Sequence, residues 1–97
     1  MSRPTGWNKI RRLRGSKTWD PGNIAQHAME AEDVTVTGAE LGDFAVASFS
    51  LDVVDLTLTA TVTAANTVTC VLANSTAGAV NLGSGTLRVL VLKYKSW

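Results

Sequence analysis

The sequence predicts an all-β fold: a small antiparallel β-sandwich or jelly-roll-like domain with an extended N-terminal arm. Three observations predict it. Leu56 to Thr63 alternates apolar and threonine residues without a break, and Thr67 to Leu72 repeats the pattern with Val68, Cys70 and Leu72 on one face. A period of two belongs to a strand, where successive side chains leave opposite faces, and β-branched threonine favours that backbone. About six short apolar runs are separated by turns rich in Gly, Asn and Asp, the spacing of a sandwich or small barrel. Finally, Arg3, Lys9, Arg11, Arg12, Arg14 and Lys17 precede Trp19, and all 8 acidic residues follow it. A basic arm before an acidic body suggests an arm that binds something negative.

In chain order, residues 1–18 form the arm and residues 19–97 the β-domain. Pro4 and Gly6 oppose a helix at the start. Trp7, Ile10 and Leu13 recur every third residue with basic groups between them. That is the pattern of one or two turns of amphipathic helix, too short to stand alone in water. The alternative is a solvated tail, which Trp7 and Trp19 argue against because disordered tails are poor in aromatics. The arm is expected to be mobile in the free protein and ordered on a partner. Its candidate contact residues are Trp7, Ile10, Arg11, Arg12, Leu13, Arg14, Lys17 and Trp19.

Trp19-Asp20-Pro21-Gly22-Asn23 is a turn, with Pro presetting φ and Gly and Asn accepting unusual angles. Ile24 to Ala31 has helix-compatible composition but sits among strand signals, so an extended first strand or edge is expected. Val34 and Val36 mark a strand that ends at Gly38. A second turn at Glu40 to Asp43 leads to the strand Phe44 to Leu51. There the apolar residues change face, which suggests a bulge or a strand covered on both sides. Asp52 and Asp55 are read as solvated turn acids. Ala64-Ala65-Asn66 fits a short hairpin loop, with Asn66 left-handed. Asn74 to Gly85 is a loop of small residues crossed by a short strand near Ala79 to Leu82. Thr86 to Tyr94 closes the fold, with Leu87, Val89 and Val91 on one face and Leu90 and Leu92 on the other.

The residues offer no chemistry of their own. Catalysis needs a nucleophile with a base, paired carboxylates or a metal. The chain has 1 His and 1 Cys, and its acids lie in turns and the early strands. Cys70 reads as a buried small hydrophobe, and His27 as a surface or loop residue. No enzyme, cofactor, metal site or small-molecule substrate is expected. No apolar run approaches the ~20 residues of a membrane span. The basic start lacks the apolar region of a signal peptide, so synthesis in a cytoplasm without export by the usual route is expected. Nucleic acid is disfavoured as a partner, because the body shows neither a basic stripe nor an aromatic platform.

Taken together, several pieces in order resemble capsid cement (decoration) proteins of tailed bacteriophages. They are Trp19-Asp20-Pro21-Gly22, Val34 to Asp43, Val62 to Thr69, Asn74 to Leu82 and Gly85 to Val89. More loosely, they resemble the β-domains of tail and head fibres. The likeness covers Trp19 to about Lys93 and leaves out the arm. It implies a β-sandwich or jelly roll that binds the outer capsid surface as an oligomer, with the major capsid protein as partner and the virion as location. The alternative role is a head- or tail-fibre or spike domain for host-surface recognition. Both faces of the last strand are apolar, and so small a chain is not expected to cover both. Leu90, Leu92, Tyr94 and Trp97 are therefore the expected oligomer contacts. Trimer is preferred to dimer on the resemblance and on the threefold positions a shell offers.

Overall fold

The structure, a computed structural model, describes residues 10–94. Eight strands are found among them: β1 (Ile10–Trp19), β2 (Asn23–Ile24), β3 (Met29–Thr35), β4 (Phe44–Phe49), β5 (Thr57–Ala64), β6 (Thr67–Ala73), β7 (Val80–Asn81) and β8 (Gly85–Tyr94). They form two three-stranded sheets, β1-β8-β4 and β3-β6-β5, and a small β2-β7 ribbon. Every pairing is antiparallel. The fold is all-β and sandwich-like, as expected. The pairs β1-β8, β2-β7 and β3-β6 are nested, as in a jelly roll, but each main sheet has three strands.

The core lies between the sheets. Val34, Val62, Val68, Cys70 and Leu72 enter it from one side, Leu87, Val89 and Val91 from the other, and all are buried. Burying a side chain of Leu or Val size contributes about 1.5–3 kcal/mol relative to leaving it in water. The β5-β6 hairpin follows the sequence pattern: Leu56, Leu58, Ala60 and Val62 face in, and Thr57, Thr59, Thr61 and Thr63 face out. Asn66 turns the hairpin at φ 62°, and the register shifts between Val62 and Ala64. Its side-chain oxygen accepts from the Gly38 amide at 2.8 Å, and its own amide donates to Ala39 O at 2.8 Å. The hairpin tip is thereby tied to the turn after β3.

Two expectations are corrected here. The strand from Phe44 carries no bulge: its register with β8 runs unbroken from Phe44↔Leu92 to Phe49↔Leu87. Ala45, Ala47 and Phe49 pack on the core, while Phe44 and Val46 stand outside at 60% and 58% exposure.

The second correction concerns the arm. Residues 10–18 are neither amphipathic helix nor mobile tail; they belong to β1, which pairs with β8 from Ile10↔Tyr94 to Trp19↔Gly85. The three-residue recurrence of Ile10 and Leu13 sets them on opposite faces of a strand. Ten residues gain a hydrogen-bonded partner strand, and the inward side chains gain a core, which a single helical turn has no means of matching. Gly15 permits this. A Cβ there would lie 2.5 Å from Thr35 O and 2.8 Å from Val36 Cγ2, so β1 crosses the end of β3 where only hydrogen fits. Trp7, also assigned to the arm, lies outside the described residues.

Candidate functional site

The outer face of the β1-β8-β4 sheet is built by strand alternation. Residues opposite each other in an antiparallel ladder share a face, so the register defines its rows. Arg12, Leu92 and Phe44 form one row; Arg14, Leu90 and Val46 form the next; Ser16, Arg88 and Ser48 form the third. In the first two rows the basic side chain lies on β1 and the apolar ones on β8 and β4; in the third the cation is Arg88 of β8, between two serines. Leu90 and Leu92 are half-buried, while Arg12, Arg14 and Arg88 are exposed. An open depression of about 830 Å³ is bordered by Arg12, Arg14, Val46, Ser48, Arg88 and Leu90. Beside it, Ile10, Phe44, Leu92 and Lys93 border a dimple of about 110 Å³.

Charge is segregated between the sheets. Strands β1, β8 and β4 contain Arg11, Arg12, Arg14, Lys17, Arg88 and Lys93 and no acid. Strands β3, β6 and β5 contain Glu30, Glu32 and Asp33 and no base. Two of the cations are used internally. Lys17 Nζ joins the sheets, 3.2 Å from Glu32 Oε2 and 3.2 Å from Asp33 O. Lys93 Nζ donates to Glu40 Oε1 and lies 3.2 Å from Asp43 Oδ2. The Glu40 hydrogen bond, aided by Asp43, holds the Lys93 ammonium above its ordinary pKa against the opposing effect of burial. Asp43 in turn accepts from the Glu40 amide at 2.9 Å, which fixes the turn that launches β4. The guanidinium groups of Arg12, Arg14 and Arg88 form no ion pair among the described residues.

The expected contact residues are split by this geometry. Ile10, Arg12 and Arg14 lie on the outer face, together with Leu90 and Leu92, which were expected at an oligomer contact. Leu13 packs on the core. Trp19 is a core residue at 7% exposure, edge-on to Phe49 with ring centroids 5.9 Å apart. Lys17 is engaged with Glu32, and Arg11 falls on the inward side of β1, opposite Lys93. Leu13 and Trp19 thus serve the core and not a surface contact, while Lys17 bridges the sheets and stays exposed. Tyr94 contributes its backbone pairing with Ile10, and Trp97 lies outside the described residues. Phe44, Val46 and Arg88 were not singled out from sequence. Phe44 and Val46 did share a face by alternation; their place beside the arginines depends on β8, which no local pattern reveals.

Other chemistry-bearing groups stand apart from this face. Cys70 is fully buried, and burial, reinforced by Asp33 and Glu32, pushes its thiol up to about 11. A neutral buried thiol is a poor nucleophile. His27 is exposed in the turn before β3, with φ 61°. No protein-family model, curated protein or solved structure matches the chain.

Proposed function

We propose that the protein is a structural binding protein of the capsid cement kind, which attaches to the outer surface of a phage shell and strengthens contacts between capsid subunits. The reading joins the resemblance to decoration proteins with one observation: a sheet face that sets exposed Phe44 and Val46 beside Leu90, Leu92 and three arginines that form no ion pair among the described residues, on strands without a single acid. An exposed apolar patch rimmed by charge is the mark of a protein-contact surface. In this reading the attachment surface is a rigid sheet face and not a flexible arm. Attachment then avoids the cost of ordering a tail, about 1–2 kcal/mol per residue. Copies repeated around a shell multiply weak individual contacts through effective concentration.

The test is thermal release of packaged DNA from virions with and without the protein. Shells lacking it are expected to release DNA at a lower temperature, and shells carrying Phe44→Ser protein to behave like bare ones. Equal release temperatures for bare and decorated shells refute the cement role. Copy number gives a second check, since hundreds per virion fit a cement and a few fit a fibre.

A further inference from the structure

We infer that the outer face of the β1-β8-β4 sheet docks a protein segment that is acidic along one side and apolar along the other, its carboxylates over β1 and its apolar side chains over β8 and β4. The inference rests on the binding role proposed above and specifies the partner's chemistry. The rows carry it: Arg12-Leu92-Phe44 and Arg14-Leu90-Val46 each run from a cation to two apolar groups, always with the cation on the β1 side. Successive rows along β8 are about 7 Å apart, so over these two rows the face presents parallel basic and apolar stripes one strand spacing apart, and the next row ends the apolar stripe at Arg88, between Ser16 and Ser48. Arginine holds a carboxylate bidentately, and Phe44 and Val46, each more than half exposed, supply apolar area.

Two other occupants fit less well. A second copy packed face to face by twofold symmetry uses one patch twice, and the strands of this sheet hold no acid, so no carboxylate of the second face answers Arg12, Arg14 and Arg88. The other sheet does not complement the face either. Glu30 and Glu32 share the inward side of β3 with Leu72 and Cys70, leaving Asp33 as the outward acid, already bonded to Thr69 Oγ1 at 2.6 Å. A nucleic acid would satisfy the arginines but leave Val46, Leu90 and Leu92 without a matching surface. Phosphate tracking draws its affinity from charge and stacked aromatics, so it makes little use of an aliphatic stripe.

The experiment is an NMR titration of the full chain with three probes: a short helical peptide with leucines along one face and glutamates beside them, the same peptide with lysines for glutamates, and an oligothymidylate. The glutamate peptide is expected to shift amides in β1, β8 and β4 and to bind best of the three. Phe44→Ser is expected to weaken it about tenfold, as loss of a central apolar anchor does. Arg14→Glu is expected to weaken it as well and to restore binding to the lysine peptide, a charge swap that a folding defect does not produce. Absence of shifts on these strands, equal binding of the lysine peptide to the unaltered chain, tighter oligothymidylate binding, or burial of Phe44 in a self-dimer seen by sedimentation overturns the inference. The shell-heating assay reports separately. A glutamate peptide that binds, with shells indifferent to the protein, removes the cement role and leaves this inference standing.

Discussion

Gly15→Ala separates a built-in strand from a free arm by the sign of its effect. In a mobile segment the added methyl costs nothing in the fold and restricts the unfolded chain, a gain of about 0.4–1 kcal/mol at most. In β1 the new Cβ meets Thr35 O at 2.5 Å, Val36 Cγ2 at 2.8 Å and Val34 Cγ1 at 3.1 Å. The nearest of these is backbone and has no rotamer to adopt. Relief requires β1 to lift away from β3, which loosens Leu13 on the core and stretches the Lys17–Glu32 ion pair. Overpacking of this kind costs about 1–3 kcal/mol. Set against the entropic gain, the net loss is about 1–2 kcal/mol. For a domain of this size each kcal/mol moves the midpoint by about 4–8 °C, so a fall of roughly 5–15 °C is expected. Thermal unfolding followed by circular dichroism on the full chain measures it. Ser16→Ala, exposed on the outer face, serves as the control and is expected to stay within about 0.5 kcal/mol of the parent. A Gly15→Ala protein as stable as the parent, or more so, refutes the placement of β1 against β3.

Three further outcomes are expected. Asn74→Ala removes donors to Ile24 O at 2.8 Å and Gly78 O at 2.9 Å and the acceptor for the Thr76 amide at 2.9 Å, all around a buried side chain; urea titration should show a loss of about 1–3 kcal/mol or more, the cost of stranding buried polar groups. Lys93 has a raised folded pKa, so its contribution to stability is complete below the ordinary value of 10.5 and is lost as pH rises through the higher folded value; urea midpoints measured across that range should fall less steeply for Lys93→Met than for the parent. Cys70, held neutral until about pH 11 and fully buried, should react with a thiol reagent at mildly alkaline pH only at the rate of unfolding, and urea should accelerate the labelling; rapid labelling of the native protein contradicts its burial.

The β5-β6 hairpin and β8 are legible in the sequence because each carries an unbroken alternating run of apolar inward residues: Leu58, Ala60 and Val62, then Val68, Cys70 and Leu72, and finally Leu87, Val89 and Val91. β1 is not, for a physical reason. Its inward positions are Arg11, Leu13, Gly15, Lys17 and Trp19, of which only Leu13 and Trp19 look like core. Gly15 is there for close approach and Lys17 for an ion pair with Glu32, and neither registers in hydrophobic periodicity. The candidate face was visible only in fragments. Arg12 and Arg14 were noticed as charge, Leu90 and Leu92 as surplus apolar residues, and Phe44 and Val46 as one side of a strand. What unites them is pairing between strands far apart in the chain, and single-strand patterns carry no information about that.

The nesting of the strands has a consequence for the order in which the molecule is made. Once the ribosome has delivered Ala73, the acidic sheet β3-β6-β5 has all its members and can close over short loops. β1 and β4, made earlier, have no neighbour in their own sheet until β8 arrives between them. The arginines of β1 and the exposed Phe44 and Val46 of β4 therefore start as separate, unpaired segments and become one surface in the final step. A chain interrupted within β8 can hold half a core yet display no docking face, so an incomplete copy has little means of competing for the partner that a finished copy engages.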